Sequence, residues 1–392
     1  MDHSQPKPGP LVDDQNTTTL HAQITSEESN LARNVVKRPP AASVRRKKGT
    51  PGQNNEACTR QPSSMSKSQQ FYRKIYDHHK KLLLDHIENN KFEALKLSRS
   101  NIRTLAKLAA RRIDHFAAEW GIPVKVATEI VQLGIYDMII FIDNSGSMRL
   151  EENEERLDDL KVICRFAAAL HELFEGKTQA KGDTLEQHHS LQVCFMNGEQ
   201  PISTVRDRAE MEEALKQGKF RGLTKLSSEL EEKVLKPLRT KYTNGPLRRP
   251  VMVLVVTDGG LSHESTEEMI NMLDRTYQAL GQDCEPGATP RILSLQFAQV
   301  GNDHKAQHFL AQMKLDPRLR QKIDCTPNFE VLQELLYTAE PPAKLTPGFW
   351  LMKACLGAVD ASYEIDSTWQ TIAELVSIAP AEHSAENGIA DV

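Results

Sequence analysis

The sequence predicts an α/β protein with a doubly wound, mostly parallel sheet that is flanked by helices and preceded by an N-terminal helical segment. Between residues 135 and 335, apolar runs of strand length alternate with amphipathic stretches of helix length. Two of the runs, 135–142 and 251–257, are almost continuously apolar, which is typical of strands buried on both faces. Strands that alternate with helices are joined by right-handed crossovers, and such crossovers produce a largely parallel sheet.

Bulk composition limits the classes of protein to consider. The 392 residues carry a formal net charge of −4, which argues against general binding to nucleic acid backbones. The six cysteines include no C-x-x-C pair, a usage typical of a reducing compartment. The sequence lacks both a signal-peptide pattern and an apolar run of the roughly 18 residues that a membrane span needs. We therefore expect a cytoplasmic protein without a membrane span.

Composition also divides the chain into five predicted segments. Residues 1–68 are rich in Pro, Ser, Thr, Asn and Gln, so we expect a disordered polar tail that buries too little surface to offset its ordering entropy. Residues 69–130 are predicted to form a helical lead-in, and residues 131–340 the α/β domain. Residues 341–365 are predicted to contain a C-terminal helix, and residues 366–392 a second polar tail.

The N-terminal tail contains a basic cluster, KRPPAASVRRKK, at residues 37–48. We interpret it as a solvated charge run. A nuclear-import signal or a site for an acidic partner remains the alternative, so a nuclear location remains an alternative to the cytoplasm.

In the lead-in, apolar residues recur every three to five positions from residue 71 to residue 119, which predicts two or three helices. Its Lys and Arg residues are interpreted as a solvated outer face because no aromatic residues are interleaved with them. The adjacent pairs His78–His79 and His188–His189 lack the i, i+4 spacing of helical metal ligands, and we expect both pairs to be exposed.

The elements of the α/β domain follow in order. The predicted strands cover residues 135–142, 191–196, 251–257 and 292–300. The predicted helices of this domain cover residues 157–174, 211–217, 226–238, 265–280 and 303–313, and the C-terminal helix after it covers residues 347–359. Cys164 and Cys194 fall on apolar elements and are predicted to be core thiols.

Oxygen-bearing side chains follow two of the apolar strands. Asp143 and Asp258 come directly after them, Ser145 and Ser147 lie in the loop after Asp143, and Thr224 lies in a loop before a helix. Open parallel sheets bind ligands outside the carboxyl ends of their strands, so we expect these side chains at one edge. Carboxylates and hydroxyls suit a hard divalent cation such as Mg²⁺. Turn formation and helix capping would explain Asp143 and Ser145 if these two stood alone, but they do not explain Thr224 and Asp258.

Three motifs carry a resemblance to a known family. DNSGSM, GLT and VVTDG, in this order, resemble the metal-ion-dependent adhesion site of von Willebrand factor A (vWA) domains. The stretches FAQVGNDHKAQHFL, IDCTPNFE and LTPGFWLMKACLGAVDASY are similar to intracellular vWA-only proteins typical of fungi, which carry a helical lead-in and a terminal helix. The resemblance extends from about residue 71 to residue 363.

The resemblance implies a role for each motif residue. Ser145, Ser147 and Thr224 would offer hydroxyl oxygens to Mg²⁺, or to Mn²⁺ or Ca²⁺. Asp143 and Asp258 would act directly or through bound waters. An acidic residue of a partner protein would fill the last coordination position, and binding would be coupled to a shift of the final helix.

The chain departs from the family pattern after Thr224. Lys225 and Ser227 stand where the family tends to have Pro and Gly. The ammonium group of Lys225 would compete with the metal and weaken its binding.

The predicted function is therefore metal-dependent protein binding without catalysis. A magnesium-dependent phosphoryl-transfer or hydrolytic enzyme is the alternative, but such enzymes usually need a second carboxylate two residues after Asp143, where this chain has Ser145. P-loop and G-x-S-x-G motifs are also missing. A scaffold with a vestigial metal site is the third hypothesis, and the sequence predicts no oligomeric state.

Overall fold

The computed structural model of the protein describes residues 67–95, 97–175, 190–199, 202–245, 247–282, 290–319, 322–338 and 342–363. The second polar tail, the basic cluster, His188–His189 and all but two residues of the first polar tail lie outside these ranges. The described residues belong to one compact unit with a connected apolar core. None of their helices combines the length and the apolar character that crossing a membrane requires.

The sheet has six strands in the described part of the chain. They are β1 (Asp137–Ile142), β2 (Leu191–Phe195), β3 (Ser203–Val205), β4 (Val251–Thr257), β5 (Leu293–Gln299) and β6 (Ile323–Thr326). Their order is β3-β2-β1-β4-β5-β6, which is an order of doubly wound folds. Neighbours pair in parallel, except that β3 runs antiparallel to β2. The predicted α/β class with a mostly parallel sheet is thus confirmed.

Three predicted strands agree with the structure to within about a residue, and one begins late. The predicted strand 135–142 starts only at Asp137, because Thr128–Ile135 forms a 3₁₀ helix whose apolar side chains are buried without joining the sheet. β3 and β6 were not predicted. β3 is short and mostly exposed, and β6 has four residues and carries a buried charge, so neither has the apolar pattern of a strand.

Helices flank the sheet. They are α1 (Lys67–Asn89), α2 (Arg99–Glu119), α3 (Val124–Ala127), α4 (Ser147–Leu150), α5 (Glu155–Phe174), α6 (Arg208–Gln217), α7 (Leu226–Leu230), α8 (Lys236–Thr243), α9 (Thr266–Ala279), α10 (His304–Leu315), α11 (Phe329–Thr338) and α12 (Pro347–Leu356). A π-helical turn, Glu231–Leu235, joins α7 to α8. All predicted helices of the α/β domain are present, although their ends shift by a few residues.

The helical lead-in shares the core of the sheet. Phe116 of α2 packs against Phe166 of α5, with ring centroids 5.3 Å apart. Arg112 of α2 donates hydrogen bonds to the carbonyl oxygens of Leu173 and Glu175 at 3.2 and 2.6 Å, where α5 ends. Carbonyl oxygens at the end of a helix have no hydrogen-bond donor within that helix, and Arg112 of α2 supplies the donor here. The lead-in is therefore continuous with the α/β domain.

One expectation about the lead-in is wrong. His78 is exposed, as predicted, but His79 is fully buried. Burial, followed by the charge of neighbouring His78, lowers the pKa of His79 to about 4. The histidine occupies a core position of α1 as a neutral ring, which the adjacent-pair spacing did not reveal.

A buried ionic cluster links the last helix, α12, to strands β5 and β6 of the sheet. Lys353 of α12 and Lys314 of α10 place their ammonium groups 3.0 and 3.3 Å from the carboxylate of Asp324 on β6. Gln296 of β5 donates to the same carboxylate at 3.1 Å and accepts from the backbone N–H of Ala358 at 2.8 Å. We call Asp324, Lys314, Lys353 and Gln296 the Asp324 cluster; all four side chains are fully buried.

Candidate metal centre

The candidate site lies where β1 and β4 end. The two strands are parallel neighbours, with Ile142 in register with Val256. The backbone N–H of Asp143 continues the pairing by donating to the carbonyl of Val256 at 2.9 Å. Asp143 and Asp258 therefore leave the sheet at the same edge, between the two strands where the strand order reverses. Doubly wound sheets bind their ligands at this switch point.

Asp143 is buried at the centre of a hydrogen-bonded loop. Its Oδ1 accepts from the backbone N–H of Ser145 at 2.9 Å, and its Oδ2 accepts from the hydroxyl of Thr257 at 2.7 Å. The hydroxyl oxygens of Ser145 and Ser147 lie 3.0 Å apart. The structure thus brings together the three side chains of the predicted Asp-x-Ser-x-Ser motif.

Two carboxylates in this site repel each other. Burial raises the pKa of Asp143, and the negative charge of Asp258 raises it further, to about 6. Hydrogen bonds from Ser145 and Thr257 oppose this effect. Among the described residues no cation pairs with Asp143, so its ionised form is destabilised unless a positive charge is added.

Asp258 has a cationic partner that the sequence did not reveal. Arg156, in the first turn of α5, places its Nη1 2.8 Å from the Asp258 carboxylate. Its Nη2 lies 2.7 Å from Glu152 and 2.8 Å from Glu151. The guanidinium fits because the neighbouring residue is Gly301, where a Cβ would lie 2.4 Å from the Arg156 Nε. Arg156 thereby occupies one oxygen of a predicted metal ligand.

The same ion pair involves the acidic run EENEERLDD at residues 151–159, which directly follows the site. Glu151 and Glu152 are engaged by Arg156. Asp159 is partly buried, and burial, followed by the nearby negative charges, raises its pKa to about 7. Glu155 and Asp158 of this run occupy the first turn of α5, where they face the positive end of the helix dipole.

Thr224 reaches the same edge through the loop that precedes α7. The carbonyl of Gly222 accepts from the backbone N–H of Gly146 at 3.1 Å. Thr224 exchanges two hydrogen bonds with Ser262, which lies in the loop after Asp258. Thr224 is buried, and its hydroxyl has no hydrogen-bonding partner within the described ranges. The loop of Thr224 is thus bound to the loops of both carboxylates.

Asn144 joins these loops and was also missed. Its side-chain nitrogen donates to the carbonyls of Asn197 and Lys219 at 3.0 and 2.9 Å, and its oxygen accepts from the N–H of Asn197 at 2.6 Å. An asparagine beside a strand end is ordinary turn chemistry, so no local pattern distinguishes it. Its fully buried side chain fixes the backbone that carries Asp143 and Ser145.

Ser227, one of the two residues that depart from the vWA pattern, lies in the first turn of α7. Glu264 accepts from the backbone N–H groups of Ser227 and Ser228 at 2.8 and 2.9 Å, and so caps the helix from another loop. Lys225 is exposed and forms no ion pair within the described residues. The expected weakening of metal binding by Lys225 stays a prediction.

The donor set fits a hard cation. It consists of two carboxylates and three hydroxyls, all with oxygen atoms, and it provides no sulfur or imidazole. Within the described ranges no group of three or more His, Cys, Asp and Glu residues is arranged to hold a metal ion, so a zinc-type centre is not found there. A divalent cation at this edge would relieve the repulsion between Asp143 and Asp258.

Comparison with known proteins adds no assignment: no protein-family model matches the chain, and no curated protein matches it.

Proposed function

We propose that the chain is a vWA-type, metal-dependent protein-binding module. The observation that carries the proposal is the meeting of Asp143 and Asp258 at the strand switch point, beside the paired hydroxyls of Ser145 and Ser147. Buried carboxylates are retained where a cation compensates them, and of Asp143 and Asp258 only Asp258 pairs with a cation within the described chain.

Each donor has a role in the proposal. Ser145, Ser147 and Thr224 offer hydroxyl oxygens to Mg²⁺, or to Mn²⁺ or Ca²⁺, and Asp143 supplies negative charge at the centre of the site. Asp258 acts through bound water, because one of its oxygens already pairs with Arg156. The bound cation supplies a positive charge that attracts a carboxylate of the partner protein.

The geometry favours binding over group transfer. An aspartate that accepts a phosphoryl group usually works with a general acid or base two residues later. That position holds Ser145, whose hydroxyl pairs with Ser147 at 3.0 Å. The position two residues after Asp143 therefore offers a hydroxyl oxygen that could hold a cation, where group transfer would usually need a general acid or base.

Calorimetric titration with Mn²⁺ tests the metal site directly. The wild-type protein is expected to bind Mn²⁺, and the isosteric variant Asp143→Asn is expected to lose this binding. Asp77→Ala is the matched control, because it removes an exposed carboxylate of α1 that pairs with exposed Arg73. Failure of the wild-type protein to bind Mn²⁺ would overturn the proposal.

Capture of partners separates binding from a vestigial site. Immobilised wild-type protein is expected to retain partner proteins in Mg²⁺ and to release them in EDTA, whereas Asp143→Asn retains none. Partners held equally with and without metal would support the scaffold alternative, and turnover of a phosphoester would support the enzymatic one.

A further inference from the structure

The surface beside the candidate metal centre carries exposed apolar and basic side chains. Arg149 and Leu150 end α4, directly after Ser147, and Leu150 is 83% exposed. Across the site, Leu223 precedes Thr224 and is 52% exposed. Arg221 and Lys225, on the same loop as Leu223, are exposed as well. We call Arg149, Leu150, Arg221, Leu223 and Lys225 the rim.

The rim is one surface because its two loops are hydrogen bonded to each other. The backbone N–H of Gly146 donates to the carbonyl of Gly222 at 3.1 Å, and the N–H of Arg221 donates to the carbonyl of Asn144 at 2.9 Å. Leu150 lies one turn beyond Gly146, to whose carbonyl its own N–H donates at 3.1 Å. Leu223 directly follows Gly222. The two exposed leucines therefore flank the contact between the loops.

Exposed leucines in this position are informative. A single exposed apolar side chain is ordinary, but several beside a polar site mark an interaction surface. Of the other large apolar residues that are exposed in the described chain, Phe71 and Leu84 lie 13 positions apart on α1, and Val162, Ile202 and Tyr337 lie on three further segments. Only at the rim do two of them lie on hydrogen-bonded loops beside candidate metal ligands.

The charge of the rim is positive and uncompensated. Arg149, Arg221 and Lys225 form no ion pair with any residue in the described ranges. The acidic residues that follow Arg149 in the sequence, Glu151 and Glu152, are instead held by Arg156. An approaching ligand thus meets three exposed cations, whose field steers negatively charged segments toward the site.

We propose that the partner of this surface is an acidic peptide segment of another protein, in which the metal-binding carboxylate is flanked by large apolar side chains. This inference rests on the proposed function, because the partner carboxylate binds the cation. The apolar neighbours of that carboxylate pack on Leu150 and Leu223. Further acidic residues of the segment interact with Arg149, Arg221 and Lys225.

Three synthetic peptides test the proposal by fluorescence anisotropy in Mn²⁺. The sequences are Glu-Leu-Asp-Leu-Glu, Glu-Ser-Asp-Ser-Glu and Lys-Leu-Asp-Leu-Lys, each with a fluorescent label. The first peptide is expected to bind at least about tenfold more tightly than either of the others. The serine peptide lacks the apolar side chains that would pack on Leu150 and Leu223, and the lysine peptide lacks the acidic side chains that would face the basic residues of the rim. EDTA is expected to abolish the binding.

Variants of the protein separate the rim from the metal site. The double change Leu150→Ser and Leu223→Ser is expected to remove the preference for leucine in the peptide while the calorimetric Mn²⁺ affinity stays the same. Leu84→Ser is the control, since Leu84 is an exposed leucine on α1. Changing Arg221 to Glu is expected to weaken binding of the doubly acidic peptide and to reduce its salt dependence.

The outcomes distinguish this inference from the proposed function. If the wild-type protein does not bind Mn²⁺, the metal site itself is wrong. If it binds Mn²⁺, the metal site stands. The inference about the partner is then overturned if the protein binds no peptide, binds the leucine and serine peptides equally, or prefers the lysine peptide. A preference for leucine that survives in the double variant would also overturn it.

Discussion

The molecule contains two buried clusters around aspartates, and they differ in whether positive charges within the described chain neutralise the central aspartate. In the Asp324 cluster, burial alone would raise the pKa of Asp324, but the ammonium groups of Lys353 and Lys314 outweigh it and hold the pKa below its ordinary value. At the strand ends, burial and the charge of Asp258 act together and raise the pKa of Asp143 to about 6. The Asp324 cluster is complete within the chain, whereas Asp143 lacks a cation among the described residues.

This difference separates a structural cluster from the proposed binding site. A buried charge is tolerated when partners neutralise it, and the partners of Asp324 come from α10 and α12, so the cluster fixes helices to the sheet. The carboxylate of Asp143 receives only hydrogen bonds from neutral groups. Its missing counter-charge is what a ligand from outside would supply.

Removing Asp324 is expected to have the largest effect. Asp324→Ala leaves the buried ammonium groups of Lys314 and Lys353 without their carboxylate, so the free energy of unfolding should fall by about 3–5 kcal/mol. Urea denaturation measures the change. The control Asp158→Ala breaks an exposed pair with Lys161 and should cost less than about 1 kcal/mol. Equal stability of Asp324→Ala and wild type would show that the cluster does not hold α12.

The two aspartates are expected to give opposite pH dependences in EDTA. The folded pKa of Asp143, about 6, lies above its ordinary 3.8, so the folded state binds more protons than the unfolded state between these values. The stability of wild type relative to Asp143→Asn should therefore fall as pH rises from about 4 to about 6, by on the order of 3 kcal/mol.

For Asp324 the sign is reversed. Its folded pKa lies below 3.8, so its contribution is present above about pH 4 and is lost as pH falls further. Urea unfolding of wild type and Asp143→Asn between about pH 4 and about pH 6 measures the dependence that Asp143 causes. Acid unfolding of wild type below about pH 4 measures the dependence that Asp324 causes. Parallel pH curves for wild type and Asp143→Asn would contradict the assignment of a raised pKa to Asp143.

Added metal should stabilise only one cluster. At a concentration of Mn²⁺ 100 times its dissociation constant, the free energy of unfolding should rise by about 2.7 kcal/mol, because the ion binds the folded state alone. Thermal unfolding with and without Mn²⁺ measures this rise. It should vanish in Asp143→Asn but persist in Asp324→Ala, provided that this variant folds. A rise that persists in Asp143→Asn would place the ion elsewhere.

The smallest expected effect concerns Arg156, which would compete with a bound ion for Asp258. Arg156→Met removes the guanidinium that lies 2.8 Å from the carboxylate, and the Mn²⁺ affinity should rise by about tenfold, or about 1.4 kcal/mol. Calorimetric titration measures it. Arg165→Met, which breaks an exposed pair between Arg165 of the same helix and Glu212 of α6, is the control and should leave the affinity unchanged. A lower affinity in Arg156→Met would mean that Arg156 supports the site instead of competing with it.

The sequence predicted the position of the candidate site better than its internal contacts. Nearly continuous apolar runs mark β1 and β4, and the residues after them must emerge at one edge, so Asp143 and Asp258 could be placed from local pattern alone. Arg156 contacts Asp258 across 102 positions of the chain. Its only local signal is one basic residue within an acidic run. Apolar periodicity reports which residues are buried, but it does not report which polar groups meet.

The same limit applies to the C-terminal region. The apolar pattern predicted the helix that became α12, yet it gave no sign that Lys353 within that helix is buried against Asp324. Short β6 was missed for the related reason that its charged residue interrupts the apolar pattern. In both cases a pairing distant in sequence overrides the local preference of a charged side chain for water.

The contact between Lys353 and Asp324 has a consequence for synthesis of the protein on the ribosome. Asp324 belongs to the sheet, but one of its two ammonium partners is translated 29 positions later. Until the segment around Lys353 has left the exit tunnel, the nascent sheet holds Asp324 with Lys314 as its one ammonium partner and without the helix that completes its burial. We therefore expect the domain to close only after α12 has emerged, and chains that stop before this helix to be recognised by chaperones or proteases.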